Sequence, residues 1–378
     1  LTPLPSTLHE KGRSKISRVE RKSNTVPTVN GTMKVAVYYN NDDVRLEKRP
    51  IPTLGPGDLL VKTEACGLCA GETAEAYQAK RAPRVIGHEP TGMVVAVGPG
   101  VTKFKEGDRI FAHHHVPCMS CHFCNRGLYT LCEHFRQTHL DPGAFAEYFR
   151  VPAENAQLDT LLLPDSVSFE AGTIIEPMGC VLKGIRQTPI QLGDTVAIVG
   201  DGFMGLCFVQ LVRLSPASRI VSVGHNDWRL EKARSLGATH TINSKTEDAV
   251  ATLRDLNEGR GADAVFVTVP NLQADDLGLA LCARGAALHL NAPPPPNAVW
   301  QVNPNQLFFR EIRINSAYSA SHIDTRAVLD LLASGRVDAK ALITHRFGLD
   351  GVEEAIHLHL TKREGYLKSL IIPALTAA

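Results

Sequence analysis

Two rhythms of apolar residues divide the chain. From Met33 to about Val151, short β-type runs at 35–39, 59–63, 91–97, 109–112 and 144–150 are separated by Gly and Pro punctuation such as Leu54-Gly55-Pro56-Gly57-Asp58, which predicts a compact, mostly β unit. From about Thr195 to Ile314 the rhythm changes. Apolar strands at 195–199, 219–223, 262–269 and 286–290 alternate with helical stretches, and that alternation predicts a parallel sheet with crossover helices. After Asn315 the pattern predicts helices near 325–333 and 351–360 and a closing strand at 369–372. Residues 1–32 hold Pro3, Pro5, Pro27 and six Lys or Arg without sustained apolar periodicity, and predict a disordered leader. Translation starting at Met33 and an organellar targeting arm are the two alternatives for that segment.

Composition narrows the class. A chain of 378 residues exceeds one ordinary core, so two domains are expected. With 44% hydrophobic residues, 21% charged residues and a net charge of +1, nothing points to nucleic acid. No run approaches about 18 consecutive apolar residues, so no membrane span is expected, and no secretory signal is legible. The expected location is the cytoplasm. Nine cysteines include four in one tight cluster, which favours metal binding in a reducing compartment over disulfides.

Gly200-Asp201-Gly202-Phe203-Met204-Gly205 follows the first apolar strand of the second block and opens an apolar helix. GxGxxG in that context predicts a dinucleotide pyrophosphate site: the first glycine permits the turn, the second lets the backbone approach phosphate, and the third packs helix on strand. Phe203, Met204 and Val269, which closes the strand at 262–269, join the cofactor contacts. The next strand ends in Val223-Gly224-His225-Asn226 with no carboxylate for an adenosine ribose. Gly224 leaves room, and His225, Asn226 and Arg229 offer donors for a 2′-phosphate, so NADP is favoured over NAD; Asp227 nearby keeps NAD open.

Cys118, Cys121, Cys124 and Cys132, spaced CxxCxxCx7C, predict a closed tetrahedral structural zinc site. A second, thinner constellation comprises Cys66-Gly67-Leu68-Cys69, Glu72, Gly87-His88-Glu89 and, far along the chain, Glu176-Pro177. Cys, His and carboxylate with one open position is the donor set of a catalytic zinc, a Lewis acid for an alcohol or carbonyl oxygen. His113-His114-His115 beside the cysteine loop suggest either a further metal site or, more commonly, packed and solvated loop histidines.

These motifs, with Ser235-Leu236-Gly237-Ala238, resemble the zinc-containing medium-chain alcohol dehydrogenase family, including its polyol and threonine dehydrogenase branches, from about Met33 to Ile372. The resemblance implies an α/β fold in which a Rossmann doubly wound parallel sheet (181–316) is inserted in a mostly β, GroES-like catalytic domain (33–180, with a structural zinc loop at 113–135, and 317–378). It makes Cys69 rather than Cys66 the zinc ligand and His88 the second, gives the next position to Glu176 or Glu89, and puts Glu72 where a carboxylate orients the ligand histidine. It further implies hydride transfer between an alcohol, polyol or matching carbonyl substrate and NAD(P), in a homodimer or homotetramer.

Two positions depart from the family. Gly71 stands where Ser or Thr relays a proton, and Ala74 where some members carry a relay histidine. Thr73, Tyr77, or a water activated by Glu89 or Glu176 is the expected substitute. Tyr77, residues 113–115 and residues 315–319 are the expected pocket. The competing expectations are a zinc-free quinone or enoyl reductase of the same architecture and a dinucleotide-binding protein without activity.

Overall fold

The computed structural model describes residues 31–375, so the predicted leader lies outside the described residues except at its last two positions; Thr32 already belongs to the first strand, Thr32–Asn40. That strand turns back tightly into Asp43–Pro50 and also pairs with Arg84–Val85, forming a three-stranded antiparallel sheet.

The second sheet runs in the order His345–Phe347, Ser369–Ile371, Leu59–Gly67, Glu89–Val97, Arg109–Ala112, Thr160–Leu162, with Tyr148–Val151 also on Leu59–Gly67. Its register puts Gly67 opposite Glu89, and Leu370 opposite Gly67. Gly67 and Leu370, 303 residues apart in the chain, therefore meet at one end of this sheet. The run expected at 144–150 forms a strand only over Tyr148–Val151.

The third sheet is parallel throughout, in the order His240–Asn243, Arg219–Gly224, Thr195–Val199, Ala262–Val267, Cys282–Leu290, Arg313–Ser316. Numbered by their own sequence, these strands run 3-2-1-4-5-6, the doubly wound order whose ligand crevice opens where strands 1 and 4 diverge. Strand Thr195–Val199 is buried on both faces: Val196 and Ile198 enter one apolar core with Phe208 and Phe266, while Ala197 and Val199 enter another with Leu253 and Leu281. That two-sided burial explains its unbroken apolar run. His240–Asn243 and Arg313–Ser316 were not individually legible because both are short and part-exposed.

Helix Ile175–Gln187, also not anticipated, straddles the expected 180/181 boundary and packs on helices Phe203–Val212 and His322–Ala333. Its Met178 and Val181 share the larger core with residues of the parallel sheet. Among the described residues, no helix is long and apolar enough to cross a membrane.

Candidate active site and cysteine loop

Strand Leu59–Gly67 ends two residues before Cys69, which caps a single 3-10 turn, Ala70–Glu72. Because Gly67 pairs with Glu89, the start of strand Glu89–Val97 lies beside that turn. The ligand atoms of Cys69, His88 and Glu89 all lie within 4.8 Å of one another. Glu72 organises this group: Oε1 accepts from the Gly87 amide at 2.6 Å and meets His88 Nδ1 at 2.9 Å, while Oε2 accepts from the Cys69 amide at 3.1 Å. Burial alone would raise the Glu72 carboxyl, but His88 and the two amides bring it below its ordinary range. With Nδ1 committed to Glu72, Nε2 of His88 is left for a metal. Cys66 stays outside the group, fully buried, with its thiol pushed well up by burial.

Glu89 has a partner that no sequence motif announced. Lys368 Nζ lies 2.6 Å from its Oε2 and 2.9 Å from its Oε1, both side chains buried. Lys368 arrives on the segment just before the closing strand, and a lone Lys in a terminal strand carries no spacing signal. A Cβ on Gly67 would sit 1.9 Å from Glu89 Oε2, so glycine between Cys66 and Leu68 makes room for this carboxylate.

Glu176, in the first turn of helix Ile175–Gln187, falls in an adjacent set with His113 and His114, whose ligand atoms also lie within 4.8 Å of each other. The two sets touch, since the His88 and His114 rings are 4.6 Å apart. His115 turns away, its Nδ1 2.6 Å from the Thr138 carbonyl oxygen and its ring against Phe135.

The substitute relay residues are placed less favourably than expected. Thr73 is buried and its hydroxyl donates to the Ala70 carbonyl at 3.0 Å; Tyr77 is half exposed, with the Arg81 guanidinium 4.6 Å over its ring. Gly71, by contrast, is exposed, and a Cβ there would meet only Cys69 Sγ, at 3.7 Å. Of the stretch 315–319, Asn315 points away, to His289 and the Gln187 carbonyl. Tyr318 faces the cleft: burial and then the neighbouring Tyr77 raise its phenol, Arg136 opposes them, and Glu176 and Cys180 add to the rise.

In the glycine-rich turn, a Cβ on Gly205 would sit 1.9 Å from the Gly200 carbonyl oxygen, which enforces the close helix-strand contact, whereas one on Gly202 would meet nothing within 4 Å and leaves the backbone open to a ligand. Gly202 caps helix Phe203–Val212, so free amides of the first turn face the same opening. Val269 packs at Gly200. Beyond Gly224 the corner holds a carboxylate after all, that of Asp201, but its Oδ2 accepts from both the His225 and Asn226 amides at 2.8 Å. Arg229 is buried, 3.8 Å from Asp201, with its Nη2 donating to the carbonyls of Lys362 and Tyr366. Asn226 Oδ1 accepts from the Arg229 amide as a helix cap, which leaves its Nδ2 as a donor. Of the three expected donors, the exposed His225 ring and the Asn226 Nδ2 remain. Asp227 accepts from Asn243 at 2.6 Å.

Cys118, Cys121, Cys124 and Cys132 bring their sulfurs within 4.8 Å of each other, all as free thiols, with Cys118–Cys132 at 3.5 Å and Cys121–Cys124 at 3.6 Å. These separations are far too long for a disulfide and match four donors around one ion. The amide and hydroxyl of Ser120 draw the Cys118 thiol down to about 6, whereas burial pushes Cys124 up to about 12. Lys183 ties the loop to the cleft by donating to the Thr130 hydroxyl and, at 2.7 Å, to the Tyr318 carbonyl.

Residues 55–165 match the family model for the alcohol dehydrogenase GroES-like domain, and residues 204–334 that for zinc-binding dehydrogenases. A sorbitol dehydrogenase of Bacillus subtilis is 32% identical over 355 residues, covering 92% of this chain and 99% of the relative. Among solved structures, a putative zinc-binding dehydrogenase of Sinorhizobium meliloti bound to NADP superposes with a TM-score of 0.81 at 28% identity, covering 91% of this chain and all of that one. An Escherichia coli alcohol dehydrogenase complexed with NADH gives a TM-score of 0.81 at 26% identity, over 90% of this chain and 99% of its own.

Proposed function

The chain belongs to the zinc-containing medium-chain alcohol dehydrogenase family and carries out NAD(P)-dependent alcohol or polyol oxidoreduction, and we propose that its reacting centre is the Cys69–His88–Glu89 group. The supporting observation is the convergence of one thiol, one imidazole and one carboxylate within 4.8 Å, with Glu72 holding His88 by Nδ1. That mixed donor set fits a catalytic zinc, as the four-thiol loop fits a structural one. Held by Cys69, His88 and Glu89, zinc would supply Lewis-acid activation of the substrate oxygen, and a bound nicotinamide would supply the hydride acceptor or donor.

The chain's own residues do the rest. Glu72 fixes the tautomer and plane of His88. Lys368 balances the charge of Glu89 in a buried setting and fixes its carboxylate beside Cys69. The glycine-rich turn and first-turn amides of helix Phe203–Val212 receive the pyrophosphate. With no side chain at Gly71 and open space above Cys69, the reacting hydroxyl loses its proton to solvent entering past Gly71 rather than to a built-in hydroxyl.

NADP is the proposed dinucleotide, because at the ribose corner the Asp201 carboxylate is held by backbone amides, that of Asp227 accepts from Asn243, and His225 is exposed. The proposed enzyme is a cytoplasmic homo-oligomer, divided functionally at 33–180, 181–316 and 317–378. Nine free thiols among the described residues support the first point, and an uncovered sheet edge at Arg313–Ser316 the second. All six parallel strands, lying between Thr195 and Ser316, support the division.

The test is Cys69→Ser in the full chain. It should release one zinc of two, retain the four-cysteine zinc, and lower kcat/KM at least about a hundredfold across a panel of polyols and secondary alcohols with either cofactor. Undiminished turnover with Cys69→Ser would refute the assignment.

A further inference from the structure

We propose that Arg81, Arg84 and Arg136 form an oxyanion-binding rim at the mouth of the cleft, so that the alcohol presented to the Cys69–His88–Glu89 group carries a phosphate or carboxylate at its far end; this rests on the reacting centre proposed above.

Two tyrosines frame the rim. Tyr77 lies on helix Glu75–Gln78, just after the turn that Cys69 caps, and Tyr318 on the loop after strand Arg313–Ser316. The Tyr318 phenol, raised first by burial and next by Tyr77, also feels Glu176 and Cys180, so the two rings stand together against the reacting centre. Each carries a guanidinium on its face. Arg81 lies 4.6 Å from the Tyr77 centroid, and Arg136 lies 4.7 Å from that of Tyr318. Stacking of this kind fixes the planar fork while leaving its N–H donors free for a ligand.

Arg84 joins them from strand Arg84–Val85, which leads straight into Gly87-His88. Val85 is buried in the core, and Arg84, next to it, is half-buried. Burial and then the Arg81 charge lower its guanidinium, with Glu72 and Tyr77 opposing them. The His139 imidazole, its ring 5.1 Å from that of His115, is lowered first by partial burial and then by Arg84 and Arg81. Positive groups are thus gathered within reach of one another.

No carboxylate balances them. Among the described residues, Arg81, Arg84 and Arg136 make no ion pair and no side-chain hydrogen bond, whereas Arg45, Arg150 and Arg346 each meet a carboxylate within 2.9 Å. Glu72 is committed to His88 and two amides, and Glu75 acts on Tyr38. Like charges held together in a partly desolvated place repel one another, and a bound anion turns that cost into attraction. Guanidinium forks match the paired oxygens of a carboxylate or a phosphate. Lys183 fixes the frame rather than the ligand, since it already donates to the Thr130 hydroxyl and the Tyr318 carbonyl. Arginines kept only for solvation need neither an aromatic face nor a half-buried guanidinium beside them.

The test compares neutral D-sorbitol with D-sorbitol 6-phosphate and D-gluconate on the full-length zinc enzyme. Binding is titrated by calorimetry with the enzyme saturated by NADPH, which fills the cofactor's own phosphate sites and blocks turnover; oxidation with NADP is followed separately. At least one anion should bind at least about tenfold more tightly than sorbitol, its gain in kcat/KM should lie in KM, and the preference should shrink as ionic strength rises. Whichever anion leads identifies the terminal group. Arg81→Gln/Arg84→Gln should cut the anion-to-sorbitol affinity ratio at least about tenfold, and Arg84→Lys should keep more of it than Arg84→Gln. If the double variant does not fold, the exposed Arg81→Gln alone should still lower the ratio. Sorbitol binding as tightly as both anions, or a ratio that the arginine variants leave unmoved, would overturn the proposal. Cys69→Ser separates this reading from the one it rests on. It should abolish oxidation of all three compounds and leave the anion preference in binding. Full turnover in Cys69→Ser would strike the reacting centre, whereas a lost preference in wild type with Cys69→Ser inactive would strike the rim alone.

Discussion

Lys368 and Glu89 form an ion pair at 2.6 Å with 4% and 0% of their side chains exposed. Burial alone would lower the ammonium, but Glu89 and Cys69 outweigh it and raise Lys368 above its ordinary range. Removing one member of such a pair strands the other charge, which costs about 3–5 kcal/mol. Lys368→Met should therefore lose about that much in urea unfolding of the enzyme stripped of its cleft zinc, which would otherwise compensate Glu89. The double variant Lys368→Met/Glu89→Gln should regain most of it. A single-variant loss below about 1 kcal/mol would show that solvent reaches the pair.

The cysteine loop should behave independently of the cleft. Its sulfurs pack with Phe135 and Tyr129 in a small separate cluster, without the large cores that hold the two bigger sheets. Cys118→Ser should lower zinc from two ions per chain to one. It should also lower the melting temperature, while the Cys69-dependent spectrum of the cobalt-exchanged enzyme survives. An unchanged zinc content would contradict a shared ion.

The residues most legible from sequence were those whose chemistry depends on spacing. CxxCxxCx7C and GxGxxG are local, so periodicity and turn chemistry alone placed them. The central parallel strands were legible because both faces are buried and their sequences are continuously apolar. What stayed illegible depends on pairing across long separations: Lys368 meets Glu89 only because the closing strand pairs with Leu59–Gly67, and Asp159 braces His113 from 46 residues away. Arg229 is held in the same way. Its acceptors are carbonyls at 362 and 366, which no local pattern reveals.

His225 is the position that should tune the dinucleotide. It is exposed at the ribose corner, while the Asp201 carboxylate is held by backbone amides. His225→Asp would place a carboxylate where a 2′-phosphate sits and where a 2′-hydroxyl could donate to it. Fluorescence titration should show the NADPH-to-NADH affinity ratio falling at least about tenfold, the equivalent of about 1.4 kcal/mol. A ratio that does not move would remove His225 from the cofactor site.

His359 gives the fold an acid sensitivity of defined sign. Burial, then the Lys368 and Lys362 charges, lower its imidazole to about 4, and Nδ1 lies 3.0 Å from the Tyr366 hydroxyl. Its folded value is below its unfolded value of about 6.5, so the unfolded chain binds more protons between these limits. Stability is full above about 6.5 and falls as pH drops toward 4. Allowing for partial exposure, the loss is on the order of 2 kcal/mol. His359→Gln should flatten the stability profile across this window. An equally steep profile in the variant would assign the acid sensitivity to other groups.

The outer edge of the parallel sheet should be covered by a second copy of the chain. Strand Arg313–Ser316 pairs only with Cys282–Leu290, leaving its other side without a strand among the described residues. Beside it, helix Pro304–Arg310 exposes Phe308 at 75% and Phe309 at 71%, and Val299 is 76% exposed. An open edge flanked by three large apolar side chains is a liability unless something packs on it. A two-fold interface uses the same patch twice, so Phe308 and Phe309 contribute four rings at about 2 kcal/mol each when fully buried. Losing even half of that weakens association by about a thousandfold. Light scattering should therefore find wild type as a dimer or larger, and Phe308→Asp/Phe309→Asp as a monomer at micromolar concentration. The cobalt spectrum of the cleft should be the same in both, since none of the proposed ligands lies on this edge. An unchanged mass for the double variant would move the interface to another face.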